Sequence, residues 1–147
     1  MTSQLLFLCT GNYYRSRFAE LLFNHLAPAH GLDWQAYSRG IAIERGADNI
    51  GPIAASALAA LAARGVTLAE EHRYPMALIE EELNLAEHVV ALKRDEHLPI
   101  MTERFPGWAE QIEYWQVHDI DQAHPDDALP QIEQEVRALI RRLALDV

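Results

Sequence analysis

The sequence predicts an α/β protein: a single domain with an open four-stranded parallel sheet and helices on both faces. The length of 147 residues suits one domain, 1-147, and does not comfortably fit two. Half of the residues are apolar, so the chain can hold a core without metal or disulfide. Apolar runs of strand length alternate with helical patterns, and this alternation is typical of parallel sheets covered by helices.

The chain opens with a predicted strand and helix. The continuous apolar run Leu5–Leu8 ends at Cys9, as expected for a parallel strand that is covered on both faces. A helix with apolar residues at helical spacing follows, and Pro28 ends it. Trp34–Ser38 alternates weakly and predicts a second strand. Three glycines in Arg39–Gly51 then indicate a long loop.

The middle of the chain predicts two helices and a strand. Pro52 suits the first turn of a helix, and Gly65 suits its C-terminal cap. The Glu-rich segment Leu78–Leu85 predicts a short helix. His88–Leu92 is a second continuous apolar run and predicts the third strand.

The last third of the chain predicts two further helices and the fourth strand. Arg94–Arg104 has helical character, with Pro99 forcing a start, a kink or a break. Ile112–Val117 alternates like a strand, and Asp119–Asp127 is a polar loop. Leu129–Leu145 has one continuous apolar face and is the clearest helix in the sequence.

Charge and composition exclude several classes of function. A net charge of −10 argues against nucleic-acid and anionic-membrane partners, because phosphate surfaces need clustered Lys and Arg. One cysteine excludes an intramolecular disulfide framework and a multi-thiolate zinc site. No stretch has the length of a signal h-region or a spanning helix. We therefore expect a cytoplasmic protein without cofactor or metal, and the sequence does not predict its oligomeric state.

One segment between the first strand and the helix after it carries reactive chemistry. Its sequence is Cys9-Thr10-Gly11-Asn12-Tyr13-Tyr14-Arg15-Ser16. In open α/β sheets ligands bind beyond the carboxyl ends of the strands. If this loop curls, its amides and the N-terminus of the next helix form an anion site, which favours a thiolate at Cys9. Arg15 adds a planar fork for two oxygens of a tetrahedral anion.

These groups together suit the transfer of a phosphoryl group to sulfur. The alternative interpretation is a structural one, in which Cys9 is a buried core residue and Arg15 lies on a solvated helix. Cysteine is among the most buried residue types, so spacing alone does not exclude that alternative. The combination of a single cysteine, a buried strand, a glycine in the loop and a serine after Arg15 favours the reactive site.

The segment resembles the active-site loop of the low-molecular-weight protein tyrosine phosphatases, whose signature is C-x5-R-[ST] after the first strand. Looser similarity covers the rest of the chain. It includes Ser38-Arg39-Gly40, the Pro52 helix ending at Arg64-Gly65, His72, the strand His88–Leu92 with Asp95 and His97, and Asp119 in a late loop.

The resemblance implies a role for each matching residue. Cys9 is the nucleophile, Arg15 holds the phosphoryl oxygens and Asp119 is the general acid. The substrate-binding residues are Thr10, Gly11, Asn12, Tyr13 and Tyr14. Three further residues support the loop from behind, namely Ser16, Ser38 and His72.

The sequence also departs from the family pattern. Tyr14 stands where a second cysteine is common, and Arg17 stands where the family has proline. Asp119 is followed by Ile120 instead of proline, and Asp121 is a rival for the acid role. His118, Asp119, Asp121 and His124 could also suggest a metal site, but a polar loop explains them more simply.

The resemblance implies a cysteine-dependent phosphatase that hydrolyses phosphomonoesters through a thiophosphoryl intermediate on Cys9. The expected substrate is a phosphorylated protein, most directly phosphotyrosine, or a small aryl phosphate. Two alternatives stay open: an arsenate reductase that uses an external small thiol, and a non-catalytic phosphate-binding module. A dianionic substrate also needs local positive charge on this acidic chain, and the candidates are Arg15, Arg17, Arg39 and Arg45.

Overall fold

The fold is that of a computed structural model that describes the backbone of residues 2–117 and 125–145, and the side chains of residues 2–117 and 128–145. Four parallel strands form one sheet in the order β2-β1-β3-β4. The strands are β1 (Ser3–Cys9), β2 (Trp34–Gly40), β3 (His88–Ala91) and β4 (Glu113–Tyr114). The predicted α/β class with a four-stranded parallel sheet is therefore confirmed.

Among the described residues, five α-helices surround the sheet: α1 (Arg15–Leu26), α2 (Ala55–Ala63), α3 (Glu80–Leu85), α4 (Arg94–Arg104) and α5 (Pro125–Leu145). Alternate residues of β1 face opposite sides of the sheet. Leu5 and Phe7 pack into a core with α1, α2 and α5, whereas Leu6 and Leu8 pack into a second core with α3 and α4. Burial on both faces explains why β1 is a continuous apolar run.

Several predicted boundaries differ from the structure. Pro52 lies before α2, which begins only at Ala55, and its carbonyl accepts a hydrogen bond from a side chain. Residues 125–127 begin α5 and do not extend the polar loop. The predicted long loop after β2 contains a 3-10 turn, Ile43–Gly46, and the fourth strand is shorter than predicted.

Pro99 neither starts nor breaks a helix, because α4 continues through it. The ring lies on the exposed side of α4. The carbonyl of Asp95, which loses its helical donor to the proline, lies on the same side because the two positions are four residues apart. Water can therefore satisfy that carbonyl.

The predicted C-terminal cap of α2 is confirmed. Gly65 has φ +77°, which only glycine adopts at no steric cost. Its amide donates to Ala62 O, and the amide of Val66 donates to Leu61 O, both at 3.1 Å. This pair of bonds is the Schellman motif, which terminates the helix and gives hydrogen-bond donors to carbonyls of its last turn.

No helix within the described part of the chain is long and apolar enough to span a bilayer. Over the same residues, no three side chains of the metal-ligating types lie close enough to hold an ion. The segment with His118, Asp119, Asp121 and His124 lies outside the described residues.

Candidate active site

The loop between β1 and α1 lies at the carboxyl edge of the sheet, beside the end of β2. Three of its carbonyls accept backbone hydrogen bonds of 3.0 Å from neighbouring segments. The pairs are Ile41 N to Cys9 O, Ala42 N to Thr10 O and Ala54 N to Tyr13 O. In a trans peptide the N–H points opposite to the carbonyl, so outward carbonyls turn the amides of the following residues inward. This geometry builds the anion nest predicted from the sequence.

Cys9 lies at the base of this nest. Its side chain is 2% exposed, and the amide of Asn12 donates to its Sγ at 3.2 Å. The hydroxyl of Ser16 lies 2.9 Å from the same sulfur. Because Asn12 Nδ2 donates to Ser16 Oγ, the hydroxyl proton of Ser16 is available to point at the sulfur. Both contacts stabilise a thiolate.

Asn12 connects the loop to its surroundings. It is the only described non-glycine residue with positive φ, at +52°. Its Nδ2 donates to Ser16 and Ser38, both at 2.9 Å, and its Oδ1 accepts from Arg73 Nη1 at 2.9 Å and from Met76 N at 3.1 Å. A full set of side-chain bonds offsets the cost of the left-handed backbone.

Arg15 begins α1 and reaches across the loop toward α4. Its guanidinium is buried, and Nη2 lies 2.9 Å from Glu96 Oε2. Thr10 Oγ1 donates to the same carboxylate oxygen. Glu96 therefore fixes one edge of the guanidinium, and the planar fork is held in one orientation beside Cys9.

His97 completes this cluster and is fully buried. Its Nδ1 accepts a hydrogen bond from Lys93 N, so in the neutral ring the proton is on Nε2. That nitrogen lies 3.2 Å from both Thr10 Oγ1 and Glu96 Oε2. Burial alone would raise the pKa of Glu96, but the hydrogen bond from His97, with the charge and hydrogen bond of Arg15, holds it well below its usual value. Glu96 is therefore charged at neutral pH.

Two further arginines lie behind the loop. Arg17, 3% exposed, donates to Asn12 O at 3.4 Å, and to Pro52 O and Arg73 O at 2.9 Å. Burial and the charge of Arg73 lower the pKa of Arg17 to about 10, despite the opposing effects of Glu20 and Cys9. Its guanidinium therefore stays charged at neutral pH.

The structure places Arg73, and not His72, against the loop asparagine. Besides Asn12 Oδ1, its guanidinium contacts Ser38 Oγ at 3.0 Å and Glu20 Oε1 at 3.3 Å. Ser38 Oγ in turn donates to Glu20 at 2.5 Å. The expected support of the loop by His72 is therefore corrected: among the described residues, the neighbouring Arg73 makes the bond to Asn12, and His72 makes none to the loop.

A cavity of about 170 Å³ opens above Cys9. Tyr13 and Tyr14 both line it, but Tyr14 is only 5% exposed and packs into the core with Phe18 of α1, so its ring is not a surface for the substrate. Tyr13 is anchored because its hydroxyl donates to Ile50 O at 2.5 Å. Residues of the segment after β2 form the opposite wall, including Arg45 and Asn49. The cavity therefore has the Cys9 thiol at its base, the aromatic residue Tyr13 in its lining and the exposed cation of Arg45 near its opening.

The four candidate arginines separate into different roles. Arg15 follows the loop as the first residue of α1, Arg17 lies behind the loop and Arg45 lines the cavity. Arg39 is held away from the site, because its Nε lies 2.6 Å from Glu82 Oε2. Asp119 and its rival Asp121 lie outside the described residues.

Sequence reasoning missed Glu96 and Arg73 as parts of the site. Both reach it through contacts with residues more than sixty positions away. The available signal for Glu96 was its place just after the third predicted strand, between the matched residues Asp95 and His97. Ligands in such folds lie at the carboxyl ends of the strands.

Comparison with known proteins agrees with this geometry. The profile of the family described as low molecular weight phosphotyrosine protein phosphatase matches residues 4–147. No significant match was found among curated proteins.

Solved structures of similar proteins cover nearly the whole chain. A low molecular weight protein tyrosine phosphatase from T. tengcongensis is 26% identical, with a TM-score of 0.75 over 99% of this chain and 100% of that one. A mutant of YwlE from Bacillus subtilis is 25% identical, with a TM-score of 0.74 over 99% and 98%. The YwlE arginine phosphatase from Geobacillus stearothermophilus is 26% identical, with a TM-score of 0.68 over 98% and 92%.

Proposed function

Because the chain belongs to the low molecular weight phosphotyrosine protein phosphatase family, and so is a cysteine-based phosphatase, we propose that it hydrolyses aryl phosphomonoesters, phosphotyrosine in proteins first among them. The observation that carries this proposal is the position of Cys9. Its sulfur lies 3.2 Å from a loop amide and 2.9 Å from the Ser16 hydroxyl, at the floor of the cavity.

The proposed reaction has two steps on the same sulfur. The Cys9 thiolate attacks phosphorus, a P–S bond forms and the P–O bond to the leaving group breaks. Arg15 and the loop amides hold the phosphoryl oxygens and stabilise the charge of the transition state. Water then attacks the thiophosphoryl group, the P–S bond breaks, and inorganic phosphate and the thiolate are released.

The leaving oxygen needs a proton as the P–O bond breaks. We assign this proton to Asp119, on the position that the resemblance gives it, with Asp121 as the rival. In the second step the same carboxylate would accept a proton from the attacking water. The donor cannot be Glu96 in the arrangement observed, because its carboxylate is ionised and bonded to Thr10 and Arg15.

Two features support an aromatic leaving group on a protein. Tyr13, which is only partly buried, lines the cavity, and stacking on an aromatic ring contributes about 0.5–1.5 kcal/mol. A volume of about 170 Å³ is below the roughly 300–1,000 Å³ of sites that enclose a whole small molecule. A cavity of this size suits the tip of one phosphorylated side chain, while the rest of the substrate stays outside.

The two alternatives make different demands on the chain. An arsenate reductase that relays electrons internally needs further cysteines, and the sequence has only Cys9, so the electrons would have to come from an external thiol. A non-catalytic phosphate-binding module needs no nucleophile, whereas here the sulfur is held at the floor of the anion site. A persistent thiolate also suits a reducing compartment, which supports the expected cytoplasmic location.

A matched substrate panel tests the proposal. One peptide sequence is prepared with phosphotyrosine, phosphoserine or phosphoarginine, the last because similar proteins include arginine phosphatases. Arsenate with glutathione is a separate arm. We expect the highest kcat/KM with the phosphotyrosine peptide and vanadate-sensitive release of phosphate. Preference for phosphoarginine would reassign the substrate, and arsenate turnover without peptide hydrolysis would replace the proposal by the reductase.

A further inference from the structure

The charges around the active-site loop do not all balance in pairs. Among the described residues, Arg15 is bonded to Glu96 and Arg73 is bonded to Glu20. Arg17 differs, since its hydrogen bonds all go to backbone carbonyls and no described carboxylate lies within 4 Å of it. Arg17 also departs from the family pattern, which has proline at this position.

Arg17 is 97% buried, and burying an ionised side chain without an anionic partner costs desolvation free energy. Three carbonyls solvate the Arg17 guanidinium, but they do not neutralise it. Two negative charges favour the ionised form of Arg17: the carboxylate of Glu20, which is already paired with Arg73, and the sulfur of Cys9. A phosphoryl group bound in the loop would add a third during the reaction.

We propose that Arg17 is the buried counter-charge of the Cys9 thiolate and of the bound phosphoryl group, and that it acts from behind the loop through the Asn12–Tyr13 peptide. Arg17 is thus a positioning residue that touches neither sulfur nor substrate. The proposal concerns the thiolate itself and holds for any phosphoryl substrate of this site.

Arg17 can stabilise negative charge at Cys9 in two ways. The guanidinium donates to Asn12 O, and a hydrogen bond on a carbonyl polarises the whole peptide, which makes the Tyr13 N–H a stronger donor. The unpaired positive charge also favours the anionic form of nearby groups directly. Both effects stabilise negative charge on the Cys9 sulfur and on a phosphoryl group held by the loop.

The other charged groups that face the loop are already accounted for. Arg15 and Arg73 are positive and paired, Glu20 and Glu96 are negative and paired with them, and His97 has one ring nitrogen occupied as an acceptor. Removing Arg17 therefore changes the net charge behind the loop without breaking any of these ion pairs.

The test measures the reactivity of Cys9 without turnover. The rate of alkylation by iodoacetamide is followed against pH, and this neutral reagent avoids any direct effect of charge on its approach. Cys9 is the only cysteine, so the rate reports on one thiol. In Arg17→Gln we expect alkylation at pH 6 to be roughly fivefold slower, with the rise in rate moved to higher pH. Arg17→Lys keeps the charge and should restore most of the rate.

A control variant and a stability measurement separate this role from a structural one. Arg64→Gln removes an arginine that, like Arg17, donates to a backbone carbonyl, but whose charge is paired with Glu133, and it should leave the alkylation profile unchanged. The melting temperature is measured for every variant. If Arg17→Gln does not fold, Arg17→Pro serves as the neutral variant, because proline is the usual residue here in the family.

An unchanged alkylation profile in the neutral variant, with only the melting temperature lowered, would overturn the proposal. Equal slowing in Arg17→Lys and Arg17→Gln would also overturn it, since charge would then have no part. Because alkylation needs no substrate, a failure of the proposed aryl phosphatase activity would not be confused with either result.

Discussion

Asn12 shows how one residue can hold a loop for catalysis. Its backbone takes a left-handed conformation, its amide donates to Cys9 and its side chain is bonded on both sides. The strain is maintained because four other segments supply the bonds. Sequence reasoning could place Asn12 in the active-site loop, but it could not identify the distant partners of its side chain.

Glu96 orients Arg15, and truncation should expose that role. In Glu96→Ala the guanidinium loses its fixed edge, so we expect KM for an aryl phosphate to rise about tenfold. Glu96→Gln keeps a hydrogen-bond acceptor without the charge, so its KM should lie between those of the parent enzyme and Glu96→Ala. Steady-state kinetics measure both variants, with Glu103→Ala on the exposed side of α4 as the control.

Glu96 also carries a negative charge, which repels a phosphate dianion. If that repulsion were the larger effect, both variants would show a lower KM than the parent enzyme. This outcome would contradict the positioning role, because the loss of orientation would then cost less than the relief of repulsion.

The general acid can be identified by the leaving group. Asp119→Asn should slow hydrolysis of an alkyl-like, poor leaving group by roughly 10²–10⁴-fold, and should have much less effect on an acidic phenol that leaves unaided. Asp121→Asn should not show this dependence. Kinetics with a series of aryl phosphates would decide. The reverse pattern would move the role to Asp121, and no dependence in either variant would remove both from it.

The end of β2 supports the loop through a close backbone approach. A Cβ at Gly40 would lie 2.9 Å from Thr10 O and 3.2 Å from the Asn12 side chain, and it would also overlap Ile43. We expect Gly40→Ala to destabilise the fold by about 1–3 kcal/mol and to lower kcat/KM, because the loop must shift. Gly107→Ala, with open space around it, is the matched control. Equal effects of the two changes in denaturation and kinetics would contradict this account.

Whether an element could be predicted depended on how local its causes are. The strand β1, the loop after it and the cap at Gly65 follow from contiguous residues, and the sequence predicted them. The start of α2 was misplaced, because Pro52 is held outside the helix by Arg17, a residue thirty-five positions earlier. The contacts of Glu96 and Arg73 depend on tertiary packing that no periodicity reports.

A half-buried carboxylate links three parts of the molecule away from the active site. Glu113 of β4 accepts hydrogen bonds from Trp115 Nε1 and Arg142 of α5, and lies 3.0 Å from His88 Nε2 of β3. Burial alone would raise the pKa of Glu113, but the hydrogen bonds from His88, Arg142 and Trp115 hold it well below its usual value.

The lowered pKa of Glu113 determines how this residue contributes to stability in acid. A carboxyl whose pKa is lower in the folded state stabilises the fold above its ordinary pKa of about 4.5, and that stability is lost as the pH falls below it. We expect Glu113→Gln to be less stable at pH 7 by about 2 kcal/mol and to lose less stability on acidification. Urea unfolding from pH 7 to pH 3 measures both, with the exposed Glu110→Gln as control. A parallel loss in parent and variant would contradict the assignment.

The proposed mechanism requires a covalent bond between phosphorus and the sulfur of Cys9. The most direct measurement is mass spectrometry of the protein quenched during turnover of an aryl phosphate, followed by mapping of the modified peptide. We predict one added phosphoryl group on the peptide that contains Cys9, and none in Cys9→Ala, which should also release no phosphate. Sustained hydrolysis by Cys9→Ala, or turnover by the parent enzyme with the phosphoryl group on another residue, would contradict the account.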